Sequence, residues 1–436
     1  MTSTSRARGA GWSALLLSAT LLAVPVCGAG QATITLDHAV QRALERSPAL
    51  AQQEQSVGNA ASAQRQAYGS FLPSLSASSS GSLRSTQRFD PTTDRIVEGS
   101  SDSYSAGLSS SITIFDGGRM FSELAAAKSD YRAAVARQDN QRNQVTLQTK
   151  NLFFAALRQG DLLEVARERV SQAEESLAMV RTRTQVGTAT VSDSLRARLE
   201  LVNARQAVLQ AETATRAARF ALGRQIGESA PVEPVRPEGL DPSPLGLTEE
   251  QILIMAEEQS PSVVAAMEAT ASAAKNVSIA KAQYLPSLSF SSGYNWANQD
   301  LSVSGGTTSW NIGLRASYTL FNGFARESTV DRAQFTQRVA RLQEDDARLA
   351  AREQADGALQ DVRTAEQAIA IAEEALAVAE EDLRVIRERY RVGVATILEL
   401  VTSQISVVQA SVTSVSARYD YVLARAQLEA VLGRGL

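Results

Sequence analysis

The sequence predicts a mixed α and β protein in which a transmembrane β-barrel, with four strands per chain and twelve per trimer, continues into a long periplasmic α-helical coiled-coil barrel. Three observations predict this fold. Four segments alternate apolar and polar residues, although the one after Leu75 is mostly Ser and Ala and alternates more weakly. Two segments of 67 residues contain no proline, and the whole pattern occurs twice, as two tandem structural repeats. Alternating segments of about ten residues with terminal aromatics are typical of transmembrane barrels. A 67-residue helix spans about 100 Å, which is too long for a globular domain.

The internal repeat is visible as short motifs that recur in the same order. Leu72-Pro73-Ser74-Leu75 recurs 213 residues later at Leu285-Pro286-Ser287-Leu288, whereas Phe115-Asp116-Gly117 recurs 206 residues later at Phe321-Asn322-Gly323. The change of seven predicts that one loop is seven residues longer in the first copy. Five prolines at positions 231–244 predict an extended connection between the copies.

These features divide the chain into four predicted regions. They are a signal peptide at 1–30, a first repeat at 31–227, a Pro-rich linker at 228–246 and a second repeat at 247–436. Within each repeat a strand hairpin precedes a long helical hairpin. The strand hairpins are predicted at about 72–115 and 285–321, and the helical hairpins at 119–223 and 325–432.

The first thirty residues have the features of a secretory signal. Arg6 and Arg8 precede an apolar run from Trp12 to Val24, and small residues follow. Cleavage removes both arginines and changes the net charge from −4 to −6, and it also removes Cys27, the only cysteine. A lipid on Cys27 is the alternative, although the preceding Val-Pro-Val fits a lipoprotein signal poorly. An acidic exported chain is a poor nucleic-acid binder, so no nucleic-acid partner is expected.

The clearest alternation begins at Trp310, where apolar residues occupy every second position up to Leu320. Soluble hairpins with one buried face show the same period, but the polar face here is small and hydrophilic, as a lumen requires. Four strands cannot close a barrel and lipid does not tolerate an open edge, so three chains are predicted to share twelve strands. Five aromatic residues are predicted to face lipid: Phe290, Tyr294, Trp296, Trp310 and Tyr318.

The two proline-free segments carry heptad seams rich in alanine, which allow close helix packing. Gly187 and Gly393 are predicted to reverse each long helix into a shorter one, because glycine adopts positive φ cheaply. Gly117, Gly118 and Gly323 are predicted to form the elbows where a strand leaves the barrel and becomes a helix. The seam of the second copy consists of Ala372, Leu376, Ala379, Leu383, Ile386 and Tyr390.

Together these residues resemble the TolC-like family of outer-membrane efflux and secretion channels. The resemblance covers essentially the whole mature chain and rests on the order and duplication of the Leu-Pro-Ser-Leu, Phe-[Asp/Asn]-Gly and Val-Gly motifs. Each Val-Gly turn is followed six residues later by an acid, Asp193 or Glu399. The resemblance implies a passive homotrimeric duct in the outer membrane, in contact with its lipid, that extends into the periplasm. It also implies two partners, a periplasmic adaptor (membrane fusion) protein and an inner-membrane pump of the resistance-nodulation-division or ABC type.

The resemblance also implies roles for residues near the far end of the helices. Asp193 and Tyr390 match a tyrosine–aspartate gate link, and Glu399 matches an acidic ring at the pore constriction. Well-known members carry a further acid and an arginine where this chain has Thr402 and Ala395, so a double acidic ring and an arginine latch are not expected. Adaptor docking is expected at six residues of the tips: Val186, Gly187, Thr188, Val392, Gly393 and Val394.

No arrangement of side chains predicts an enzyme, a cofactor or a metal site. His38 is the only histidine, and no nucleophile has a base nearby in the sequence pattern. The expected function is that of an outer-membrane channel subunit in a tripartite efflux or type I secretion system, and drugs, metal ions and proteins all fit as cargo. The alternative is a structural envelope coiled-coil protein without a conducting pore, which explains the heptads but not the alternating strands.

Overall fold

The computed structural model describes residues 33–237, 242–302 and 304–435. The predicted signal peptide and Cys27 lie outside the described residues. One chain combines an open four-stranded sheet with a long wall of helices, and the elements of its two halves follow the same order. The predicted fold class is confirmed. Among the described helices, none is both long and apolar enough to cross a membrane.

The first half contains a two-residue strand, two short helices, two long strands and two long helices. Its elements are β1 (Thr33–Ile34), α1 (Leu36–Arg46), α2 (Pro48–Gly69), β2 (Ser74–Asp90), β3 (Arg95–Phe115), α3 (Arg119–Gln185) and α4 (Val191–Gln225). The second half repeats this order after a two-residue strand that pairs with β1. Its elements are β4 (Glu233–Pro234), α5 (Glu249–Gln259), α6 (Pro261–Lys281), β5 (Ser287–Asn298), β6 (Thr307–Ser317), α7 (Ala325–Arg391) and α8 (Ile397–Leu432).

The sheet is antiparallel throughout, with the strand order β2-β3-β5-β6. Strands β2 and β3 have 17 and 21 residues, whereas β5 and β6 have 12 and 11. The expectation of a longer loop in the first copy is therefore wrong, because the additional residues lengthen the strands. The turn after β2 is short because Asp90 closes it: its Oδ1 accepts a hydrogen bond from the Thr92 amide at 2.9 Å.

Strand β6 ends at Ser317, three residues before the end of the predicted alternation. Arg326, buried in the first turn of α7, explains the early end. Its guanidinium donates to the carbonyl oxygens of Thr319 at 2.9 Å and Leu320 at 3.2 Å. A longer β6 would use these carbonyl groups to pair with a neighbouring strand. Because Arg326 already binds them, the chain leaves the sheet and turns towards α7. Tyr318, which the sequence analysis places on the strand, follows it as an exposed residue.

The helices lie side by side, with α3 and α7 running the full length of the wall. Near the sheet the packing order is α2-α3-α6-α7, and in the far half it is α4-α3-α8-α7. The shorter helices meet end to end. Gly433, after α8, lies against the ring of Pro261 at the start of α6. Gly227, after α4, accepts a hydrogen bond at 3.5 Å from Arg46 at the end of α1. The pair α8 and α6 thereby lies between the two long helices, whereas α4 and α2 lie along the other side of α3.

The buried core forms three clusters along the wall. The first lies around α1 and includes Phe153, the second lies around α5 and includes Leu359, and the third lies near the far end and includes Val180 and Leu400. Alanine contributes to all three clusters. Small side chains let helix backbones approach closely, as the heptad seams predict.

Two tyrosines of α8 fasten the linker to the wall. The Tyr419 hydroxyl donates to Asp161 Oδ2 at 2.7 Å, and Arg236 of the linker forms an ion pair with the same carboxylate. The Tyr421 hydroxyl donates to the Ser243 carbonyl oxygen at 3.1 Å. The linker therefore lies against the helices both before and after its undescribed residues.

Alkaline pH is expected to destabilise the chain through Tyr419. Burial, and secondly the hydrogen bond to Asp161, raise the pKa of the Tyr419 phenol well above its usual value. The folded state therefore retains a proton that the unfolded state loses above about pH 10, and stability declines there by up to about 1.4 kcal/mol per pH unit. In thermal unfolding followed by circular dichroism, Tyr419→Phe should have a lower Tm than wild type at pH 8 but a shallower decline above pH 10. Parallel declines would contradict this assignment.

Candidate functional site

The four-stranded sheet has one apolar face. In the isolated chain its large side chains are exposed, among them Tyr294 and Trp310 at 53% and 74%. A row of exposed apolar side chains of this extent is typical of a surface that meets lipid or another chain. The register aligns these residues across the strands as Ala77, Leu108, Tyr294 and Trp310; as Ile112, Phe290 and Leu314; and as Ala106 and Trp296.

The opposite face of the sheet is polar and has short side chains. The hydroxyl oxygens of Ser76 and Ser109 lie 2.7 Å apart, and two further serine pairs between β2 and β3 have the same arrangement among the side chains that the structure describes. Gly107 makes room for the Asn295 amide on β5, since a Cβ at Gly107 would lie 2.5 Å from Asn295 Oδ1. This face offers hydrogen-bonding groups to water along the sheet, as the wall of an aqueous lumen does.

Glycines occupy the elbows between strands and long helices. Gly117 and Gly118 have φ values of 73° and 81°, and a Cβ on Gly117 would lie 2.6 Å from the Ala282 carbonyl oxygen. In the second copy Gly323 has φ 67°, but the next residue, Phe324, also has positive φ, at 64°. Phe324 occupies the position of Gly118 and therefore holds a left-handed backbone that phenylalanine rarely adopts.

The far ends of the long helices are tight turns at Gly187 and Gly393, whose φ values are 78° and 87°. In the first turn the Thr188 amide donates to the Arg183 carbonyl oxygen at 2.8 Å, and the second turn repeats this bond. Both turns therefore close in the same way, with a left-handed glycine after the last helical residues.

Three valines project from these turns. Val186, Val392 and Val394 are 68%, 69% and 67% exposed. Branched apolar side chains at an exposed end contribute nothing to the fold of one chain, so their contact with water costs free energy that a partner surface would remove. The six residues predicted to dock an adaptor thus form one exposed end of the molecule, called the tip below.

Asp193 and Glu399 cap the two returning helices, a role that the sequence analysis did not assign. Thr190 Oγ1 accepts a hydrogen bond from the Asp193 amide at 3.2 Å, and Asp193 Oδ2 accepts one from the Thr190 amide at 3.0 Å. Thr396 and Glu399 form the same reciprocal pair, with distances of 3.2 Å and 3.4 Å. Such capping boxes stabilise helix starts by about 1 kcal/mol.

Tyr390 is buried between the two helical hairpins and is 3% exposed. Its hydroxyl has no hydrogen-bond partner in the part of the chain that the structure describes. Within one chain the Asp193 carboxylate binds Thr190 instead, so the predicted gate link remains a prediction. Burial, followed by the nearby Asp193 charge, raises the pKa of the Tyr390 phenol above its ordinary value, and Arg183 partly offsets this rise.

Arg183 joins the two turns of the tip and was missed in the sequence analysis. Its guanidinium lies 4.7 Å from the Tyr390 ring centroid and donates to the Tyr390 carbonyl oxygen, and it also donates to the Thr188 carbonyl oxygen at 3.3 Å. A signal for it exists, because an arginine stands four residues before the turn glycine in both copies, as Arg183 and Arg389.

The wall of helices has two free edges, and both carry exposed apolar residues at heptad spacing. One edge is α4, where the exposed stripe consists of Leu195, Leu199, Val202 and Leu209. The other edge is α7, where Ile371, Val378 and Val385 lie seven residues apart. Ile371 and Val378 line an open groove of about 530 Å³ between α7 and α8. The described residues contain no group of acidic, histidine or cysteine side chains arranged to hold a metal ion.

Comparisons with known proteins agree with this geometry. The family model described as "Outer membrane efflux protein" matches residues 39–228 and 252–434. Protein CyaE of Bordetella pertussis is 31% identical over 325 residues, which cover 72% of this chain, and this chain spans 66% of that protein's length.

Solved outer-membrane proteins share the fold. The crystal structure of VceC from Vibrio cholerae has a TM-score of 0.79 at 20% identity, covering 92% of this chain and 96% of that chain. The CmeC outer membrane channel of Campylobacter jejuni has a TM-score of 0.79 at 20% identity, covering 91% and 85%. These folds and this family are those of channel proteins rather than enzymes. The chain belongs to the outer membrane efflux protein family and is an outer-membrane channel subunit for efflux or secretion that extends into the periplasm.

Proposed function

We propose that three copies of this chain form a continuous duct, with a twelve-stranded barrel in the outer membrane and a twelve-helix tunnel in the periplasm. The observation that carries this proposal is that the sheet and the helical wall of one chain each end in two different free edges. The sheet ends at β2 on one side and β6 on the other, and the helical wall ends at α4 and α7. Joining unlike edges generates a ring, in which no strand edge remains open.

Strand and helix directions are compatible with this closure. β2 runs away from the helices and β6 runs back, so β6 of one copy meets β2 of the next as an antiparallel pair. In the helical wall α4 and α7 also run in opposite directions. The stripe that includes Leu199 on α4 can therefore pack into the groove beside Val378 on α7 of the neighbouring copy, in the alternating order found within one chain.

The number of copies follows from the size of the lumen. Two chains supply eight strands, and an eight-stranded barrel is just wide enough for side chains to fill it. Three chains supply twelve strands, within the range of outer-membrane barrels, and leave an aqueous lumen lined by the polar face. Three copies are the smallest ring that conducts.

Membership of the family implies that the chain acts together with a periplasmic adaptor and an inner-membrane pump in a tripartite system. We infer that the adaptor docks at the tip through the exposed valines, and that the Tyr390 hydroxyl completes its hydrogen bonding with Asp193 when the tip closes. The pump supplies the energy and the duct is passive. The family and the channel-like folds fit efflux and type I secretion equally.

Planar-bilayer recording tests the duct and the predicted acidic ring together. Purified protein should give discrete current steps with a preference for K⁺ over Cl⁻, because three copies of Glu399 place carboxylates around one aperture. Glu399→Gln should reduce the K⁺ to Cl⁻ permeability ratio about twofold or more without loss of fold. Glutamine retains the cap, since Thr248 and Gln251 form a capping box at the start of α5 in this chain.

A matched control is Glu353→Gln, which removes an exposed carboxylate of α7 far from the tip and should leave the ratio unchanged. Current with an unaltered ratio in Glu399→Gln would reject the ring alone. Absence of any current from the wild-type protein would instead favour the structural envelope protein without a pore.

A further inference from the structure

The polar face of the sheet carries one charged residue within its four-stranded part. The register pairs Arg315 of β6 with Ser289 of β5, on the same face as Ser291 and Asn311. The other described residues that the register places on this face of the four-stranded part are serine, glycine, asparagine, threonine and alanine. In the first half of the chain the corresponding position is Ser109, so the charge occurs once per chain.

The Arg315 charge is not neutralised within the chain. Its side chain is exposed, and it forms no ion pair or hydrogen bond with any described residue. A guanidinium stays protonated at every physiological pH. The cost of placing such a group against lipid explains why it stands on the polar face, opposite the row that contains Leu314.

We propose that Arg315 gives the barrel lumen a preference for anionic solutes. This inference rests on the trimeric duct proposed above and concerns the barrel, not the tip. Arg315 is two residues from the end of β6, so three copies form a ring about 7 Å above the junction with the tunnel. Twelve strands about 4.8 Å apart and tilted about 40° enclose a lumen of about 12 Å radius.

The expected size of the effect follows from Coulomb's law. Three charges about 10 Å from the axis, in water and with a Debye length of about 10 Å at 0.1 M salt, raise the local anion concentration about twofold and lower that of cations by a similar factor. The ring therefore acts against the predicted Glu399 ring at the other end of the duct. The Arg315 ring raises the local concentration of solutes that carry carboxylate or phosphate groups as they enter the barrel.

Reversal potentials across a planar bilayer in a KCl gradient test this proposal. Arg315→Gln should lower the Cl⁻ to K⁺ permeability ratio about fourfold near 0.1 M salt, more at 0.01 M and little at 1 M, since screening grows with salt. The change is opposite in sign to that expected for Glu399→Gln. The control is Arg363→Gln on α7, where the guanidinium is already paired with Glu249 at 2.9 Å, and it should leave the ratio unchanged.

Thiol labelling tests the position of Arg315 without current measurement. Cys27 is the only cysteine and lies in the predicted signal peptide, so Arg315→Cys and Leu314→Cys each present one thiol. In trimers reconstituted into liposomes, a membrane-impermeant thiosulfonate should modify Arg315→Cys at least tenfold faster than Leu314→Cys. Equal or reversed rates overturn the inference, as does an unchanged permeability ratio in conducting Arg315→Gln. A wild-type protein that conducts no current overturns the proposed duct and this inference with it.

Discussion

Replacing Leu199 and Leu209 together by lysine is expected to abolish the trimer. Both leucines belong to the exposed stripe on α4, at 60% and 65% exposure in the isolated chain. In the proposed ring this stripe packs into the groove beside Ile371 and Val378 of the next copy. The double change then buries six ammonium groups per trimer. Removing each from water costs several kcal/mol, which Glu374 and Asp382 in the groove offset only in part. Native mass spectrometry in detergent should show a shift from three chains to one, and current steps in bilayers should disappear.

The matched control places the same charges on a different stripe of the same helix. Asn203 and Gln210 are exposed on α4, also seven residues apart, and lie outside the heptad seam that contains Leu199. Asn203→Lys with Gln210→Lys should leave the trimer intact. If the seam variant still forms trimers, or if both variants dissociate equally, the subunit interface does not lie on this seam. Circular dichroism should show the same helix content in both variants, since neither pair is buried in one chain.

The long helices are the part of the fold that the sequence predicts best. Absence of proline and a reversing glycine place the ends of α3 and α7 at Arg119–Gln185 and Ala325–Arg391, and the structure has the same ends. These signals are local, because a helix without proline continues until a residue such as Gly187 or Gly393 lets the backbone reverse. The alternating residues likewise predict the faces of the sheet.

The misses came from side-chain contacts that neither the alternation nor the heptad spacing encodes. The early end of β6 depends on Arg326, whose guanidinium binds carbonyl groups before α7, and no spacing rule reveals such a bond. The bond from Arg183 to Tyr390 joins residues 207 positions apart. The gate role of Asp193 was assigned from the resemblance alone. Its capping role could have been predicted from the local pattern, a threonine followed three residues later by an acid.

Replacing Val392 and Val394 together by aspartate is expected to abolish export while leaving the duct intact. Both valines project from the tip and make no part of the buried core. Loss of two apolar contacts and burial of two carboxylates at a docking surface should each cost about 2 kcal/mol or more, which lowers adaptor affinity about a thousandfold. In a bacterium that lacks the chromosomal copy, the variant should give the phenotype of the deletion.

Two measurements separate lost docking from lost assembly. The purified variant should remain a trimer and conduct in bilayers, because the tip backbone relies on Gly393 and on the bond from the residue 394 amide to the Arg389 carbonyl oxygen, which aspartate can still form. Val235→Asp, a change of the same chemistry at an exposed linker residue, should support full export. If the tip variant also exports normally, the adaptor binds elsewhere on the wall. The exposed valines then need another explanation, since nothing within one chain covers them.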